Sequence, residues 1–136
     1  MTPDEIEKRT IKAFVVSIRQ ERYLQGLTNP KRRAKVLTRL HHHVDDIDAR
    51  VRQAIPPGKQ FAPEIETILR SSGAPPRCYV LSTSSKLDRC EMQLSDALDA
   101  IVGLGMGTII SCIPGKLGYY ESEEPGFRFI LKREAG

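Results

Sequence analysis

Between Lys8 and Arg39 the chain places ten cations against a single acid, Glu21. On a helix Lys31, Lys35 and Arg39 stand four residues apart and project in one row, with Arg32 and Arg33 beside them and Arg19 and Arg22 on the segment before. A row of this kind can follow the phosphates of a nucleic acid, RNA ahead of DNA, or dock an acidic protein surface. Cations at a helix N-terminus oppose the macrodipole and repel one another, and an anionic partner would offset both effects. A solvated surface paired with acids elsewhere in the chain accounts for them equally well. Tyr23 is the one ring near the cluster, too little for a stacking platform of the single-strand type.

Three further groups have the residue types for chemistry. His41, Asp45 and Asp48 share one side of a continuous helix, where imidazole and carboxylate groups can chelate a divalent metal or form a proton-transfer pair. Helical ion pairs, Asp46 with Arg50 and Asp48 with Arg52, explain the same acids without a ligand. Ser84, Ser85 and Lys86, in the polar loop Ser82 to Cys90, offer hydroxyls and an ammonium at the end of an apolar run, where a phosphate could be held. The loop has no glycines of the kind a phosphate loop uses, so an ordinary polar turn competes with that reading. The glycines of Gly103-Leu104-Gly105-Met106-Gly107 fall where a helix gives way to a strand, and they are read as a helix stop and tight turn.

Cys78, Cys90 and Cys112 are odd in number and include no CxxC pair, so neither a disulfide framework nor a zinc knuckle is expected. Cys112, beside Pro114-Gly115, is the thiol to suspect if one is reactive; a core thiol is the plainer role. No cofactor is expected, and the balance leans away from an enzyme.

The elements that must carry these residues follow from periodicity and punctuation. Thr2-Pro3-Asp4-Glu5 opens a helix, and Ile11, Phe14, Val15 and Ile18 form its buried stripe. Gly26 to Pro30 breaks it. A second helix, Asn29 to Ala54, completes a hairpin with Asn29 as N-cap, and Leu37, Leu40, Val44, Ile47 and Val51 lie within an arc of about 80°. A short helix follows over Pro63 to Arg70. Beyond Gly73-Ala74-Pro75-Pro76 the pattern changes to a strand at Cys78 to Ser82, a helix through Leu94, Leu98 and Val102, and strands at Thr108 to Ile113, Leu117 to Glu121 and Phe127 to Lys132. The expected fold is α+β: an N-terminal helical hairpin and short helix packed on a small, mostly antiparallel β-α-β-β-β sheet unit. Residues 1–136 are read as one domain, with a helical half over 1–73 and an α/β half over 77–133. This element order resembles that of small RNA-binding domains of ribosomal proteins, a likeness that implies RNA as partner and transfers no residues.

Composition bounds the rest. The chain has 136 residues, 40% hydrophobic and 28% charged, enough for a real core without metal or disulfide help. The net charge of +4 is uneven: residues 1–60 hold 13 Lys or Arg against 7 Asp or Glu, whereas residues 61–136 hold 8 against 10. No apolar run approaches the ~20 residues of a membrane span, and the acidic start has no signal-peptide character. A cytoplasmic protein that avoids membranes is therefore expected, of open oligomeric state.

Overall fold

A computed structural model describes residues 1–133. Three helices, α1 (Pro3–Phe14), α2 (Ser17–Leu27) and α3 (Arg33–His42), precede the short strand β1 (Arg52–Ala54) and helix α4 (Ala62–Ser71). Strands β2 (Arg77–Ser82) and β3 (Glu91–Gln93), helix α5 (Leu94–Ile101), and strands β4 (Thr108–Ile113), β5 (Leu117–Glu121) and β6 (Arg128–Lys132) complete the chain. The six strands form one antiparallel sheet in the order β1-β6-β5-β4-β2-β3. The protein is mixed α+β, as the patterning implies.

Both faces of the sheet are covered, and each strand divides its side chains between them with period two. Tyr79, Leu81, Ile109, Tyr120 and Leu131 pack under α1 to α3 together with Phe14, Tyr23, Leu37 and Leu40. Cys78, Val80, Ile110, Tyr119 and Ile130 pack under α4 and α5 with Ile65, Leu69, Leu94 and Leu98. Burial on both sides is why the central strands read as nearly continuous apolar runs.

The helical half departs from the periodic reading in two places. The first helix stops at Val15 and Val16, a β-branched pair with poor helix propensity, and Val15 bridges Ile47 instead. That break turns Ile18 outward to 83% exposure, whereas Ile11, Phe14 and Val15 are buried as expected. The second helix spans ten residues, not the whole of Asn29 to Ala54. Asn29 caps a preceding turn by accepting the Lys31 N–H at 2.9 Å, and the helix proper begins at Arg33. It ends at His42 because the Asp-rich, β-branched stretch beyond finds better backbone partners: Val16 N–H donates to the Asp46 carbonyl at 2.9 Å and Asp48 N–H to Phe14 at 2.8 Å. Ile47 and Val51 are still buried, but through an extended path that feeds β1 onto the β6 edge. The two halves thus share a sheet, and β3 adds an edge strand in the three residues between the polar loop and α5, where the sequence pattern gives no element. Among the described residues no helix is long and apolar enough to cross a membrane.

Candidate nucleic-acid interface

The basic cluster divides into internal and external cations. Arg33 is internal. Its Nε and Nη2 bond Asp88 at 2.8 and 3.1 Å, Nη1 and Nη2 bond Glu7 at 2.8 Å each, and Nη1 also bonds the Leu27 carbonyl at 3.0 Å. All five guanidinium donors are used. Burial works against the charge, yet the Glu7 and Asp88 carboxylates raise the Arg33 pKa above its ordinary value. Glu7, 3% exposed, also accepts from the Tyr79 hydroxyl.

Arg39 is held in a similar way. Its Nε and Nη2 bond the Asp46 carboxylate at 2.8 and 3.0 Å, and Tyr23 donates its hydroxyl to the same carboxylate at 2.8 Å. Burial pushes the Asp46 carboxyl up, but Arg39 and Tyr23 outweigh it and the net shift is downward. Tyr23, fully buried, offers no face for stacking. Arg19 is a looser member of this group, 3.9 Å from Asp46 with its side chain 42% exposed.

Arg22, Arg32 and Lys35 remain outside. All three are exposed, have no ion-pair partner among the described residues, and line one open groove of about 570 Å³ between α2 and α3. Lys31 is exposed beside Arg32. The two helices can approach this closely because Gly26 has no side chain: a Cβ there would overlap the Val36 Cγ2 methyl. Gly26 and Val36 form the apolar floor, with the exposed Ile18 at one side. Glu21 also lines the groove, and its carboxylate accepts from the Gln25 amide at 3.1 Å.

The His/Asp ridge is not assembled, because the helix that would align it ends at His42. Asp45 points to solvent, 3.6 Å from Arg52, and Asp48 bonds its near neighbour Arg50 at 2.7 Å. His41 meets a residue from the far half of the chain, Glu123 in the β5–β6 connection. Its Nε2 lies 3.1 Å from Glu123, His42 Nδ1 lies 2.8 Å from the same oxygen, and the three ligand atoms fall within 4.8 Å of one another. The hydrogen bonds decide what this cluster does. Gly107 N–H donates to His41 Nδ1 at 3.0 Å, so Nδ1 supplies the lone pair and Nε2 carries the proton given to Glu123. A metal at Nε2 would have to displace both bonds. With Glu123 N–H also donating to the His41 carbonyl at 3.1 Å, the cluster clasps the β5–β6 connection to α3.

The serine loop is likewise occupied from within. Ser82 N–H donates to Asp88 at 3.1 Å, Ser84 N–H donates to the Ser82 hydroxyl at 3.0 Å, and the Ser84 carbonyl accepts from Leu87 and Asp88. A carboxylate at the end of β2 opposes a phosphate in that place. A different anion nest does exist. Gly103 and Gly105, both at positive φ, donate their N–H groups to Glu121 at 3.1 and 3.0 Å, and the Tyr119 hydroxyl adds a third bond at 2.7 Å. The nest is filled by the protein's own carboxylate, 2% exposed, with Arg128 3.9 Å away.

Burial pushes the Cys78 thiol up to about 11 and the Cys112 thiol up to about 12, which suits core residues and not nucleophiles. Glu7, Asp88, Glu121 and Glu123 are the residues that sequence reasoning passes over. The partners that give them a role, Arg33 for Glu7 and Asp88, the Gly103 and Gly105 N–H groups for Glu121, and His41 with His42 for Glu123, lie at least 16 residues away, so no local spacing marks them.

No protein-family model matches the chain, and no curated protein by sequence and no solved structure by fold is similar to it.

Proposed function

We propose that the protein is a nucleic-acid-binding module that grips the phosphate backbone in the groove between α2 and α3. The observation that supports this is the convergence of Arg22, Arg32 and Lys35, exposed and without an ion-pair partner among the described residues, on one groove while Arg33 and Arg39 are consumed internally. Three such cations contribute through counterion release, about 0.7 in the slope of log affinity against log salt for each phosphate on a single strand. Replacing all three by Ala is expected to flatten the slope by about 2 and to weaken binding about a hundredfold near 0.1 M salt. Fluorescence anisotropy with mixed-sequence single-stranded RNA first, then DNA, measures this across a salt series. Absent binding, or binding indifferent to salt, refutes the proposal.

A second reading has its own observation. Ile18, 83% exposed beside the Gly26 and Val36 floor, would suit an acidic peptide with one apolar anchor. Ile18→Ser weakens a peptide partner and leaves a phosphate backbone unaffected, so the same titration separates the two.

A further inference from the structure

The tertiary structure gathers a second set of cations from four separate segments. The turn at Pro114 to Lys116 lies against α1, with Gly115 packed on Arg9 and Ala13. Arg133, at the end of β6, donates its Nε to the Ala13 carbonyl and its N–H to the Lys116 carbonyl, each at 2.9 Å. Lys132 N–H donates to Val51 at 2.9 Å and so draws in Arg50, which shares a hollow of about 410 Å³ with Val51, Gln53, Lys132 and Arg133. One end of the sheet therefore carries Arg9, Lys12, Arg50, Lys116, Lys132 and Arg133.

Of these, Arg50 alone has an ion-pair partner among the described residues, Asp48 at 2.7 Å. The hydrogen bonds from Arg50, with a smaller effect from Arg133, hold the Asp48 carboxyl down at about 2, consistent with positive potential at this end. Like charges brought together from positions 9 to 133 of the sequence cost folding energy by mutual repulsion, and an anionic partner removes that cost. The set also adjoins the proposed groove: the Gln20 amide on α2 donates to the Lys12 and Val15 carbonyls at 3.3 and 2.9 Å, which seats the first turns of α2 on the same corner.

We infer that this basic sheet end is a second phosphate-contacting surface, and that a nucleic acid longer than the groove continues around the α1–α2 corner onto Arg9, Lys12, Lys116 and Lys132. The inference rests on the groove reading for its partner and is tested separately from it. Lys116 and Lys132 are suited to the test because neither side chain makes a hydrogen bond or ion pair among the described residues, so Lys116→Gln with Lys132→Gln is expected to leave the fold alone.

The probes are single strands of 4 and 16 nucleotides, about the limits of ordinary single-strand sites. On the 16-mer the double variant is expected to flatten the salt slope by about 1.4 and to weaken binding roughly 25-fold near 0.1 M salt. On the 4-mer, which the groove alone accommodates, it is expected to match wild type. An unchanged slope on the 16-mer overturns the inference, and so does an equal loss on both lengths, which would mark a general effect of net charge. If wild type binds the 16-mer and the Arg22, Arg32, Lys35 variant binds it equally well, the groove reading fails while a loss in the sheet-end variant still supports this surface. Wild type that ignores both strands but sediments with phosphatidylserine vesicles overturns both.

Discussion

Replacing Arg33 by Met separates an internal cation from a surface one. The substitution keeps most of the side-chain volume but leaves Glu7, 4% exposed in its side chain, and Asp88, 14% exposed, without their shared partner. Breaking a buried pair in this way costs about 3–5 kcal/mol. Glu7 keeps the Tyr79 hydroxyl and has Arg89 3.5 Å away, which places the loss at the lower end, about 3 kcal/mol. At about 2.1 cal/mol/K of unfolding entropy per residue, 136 residues give roughly 0.29 kcal/mol/K, so the melting temperature should fall by about 10 °C. Calorimetry or urea unfolding measures this beside Lys35→Met, an exposed control that should stay within about 0.5 kcal/mol of wild type. Nucleic-acid titration should give the reverse ranking: Lys35→Met flattens the salt slope and Arg33→Met, below its melting point, does not. An Arg33→Met protein as stable as the control, with a flattened slope, would show that the guanidinium faces a partner and not Glu7 and Asp88.

Gly26→Ala should force α2 and α3 apart at Val36, at a cost of about 1–3 kcal/mol, and should weaken binding more than its distance from the charges suggests because the groove walls move. Urea unfolding and the anisotropy titration test the two effects, and an Ala variant with wild-type stability would refute the close approach. Asp48 sets a pH dependence. Arg50 holds its carboxyl below the ordinary value of 3.8, at about 2, so the folded state binds this proton more weakly than the unfolded one. The resulting stability is complete above about pH 4 and is lost as pH falls from 3.8 towards 2. Arg50→Ala should remove that loss from the difference between the two unfolding curves over pH 5 to 2, and superimposable curves would refute it.

The basic helix was legible in the sequence as a charge anomaly, but its members were not equivalent, and nothing local told them apart. Arg32 and Arg33 are adjacent, yet one lines the groove and the other spends five donors on Glu7, Asp88 and Leu27. The difference comes from which side of α3 meets α1 and the β2–β3 loop. The histidines were visible as ligand-type residues, but their partner, Glu123, is more than 80 positions away. The proposed Asp partners failed because helix propensity in Val44 to Asp48 was weaker than the backbone pairing offered by Phe14, Val15 and Val16.

Side-chain periodicity and turn residues are local properties, and they determined what is local here: strands β2, β4, β5 and β6, the capped start of α1, α4 and α5, and the burial of the apolar stripes apart from Ile18. Ile47 and Val51 are buried even though their helix does not form, because burial follows hydrophobicity whatever path the backbone takes. Tertiary structure decided where the charges ended up. A guanidinium is external until a carboxylate reaches it, and the carboxylates that reach Arg33, like the cations that collect at the sheet end, are placed by strand pairing and helix packing across the length of the chain, while Asp46 reaches Arg39 because the helix ends at His42.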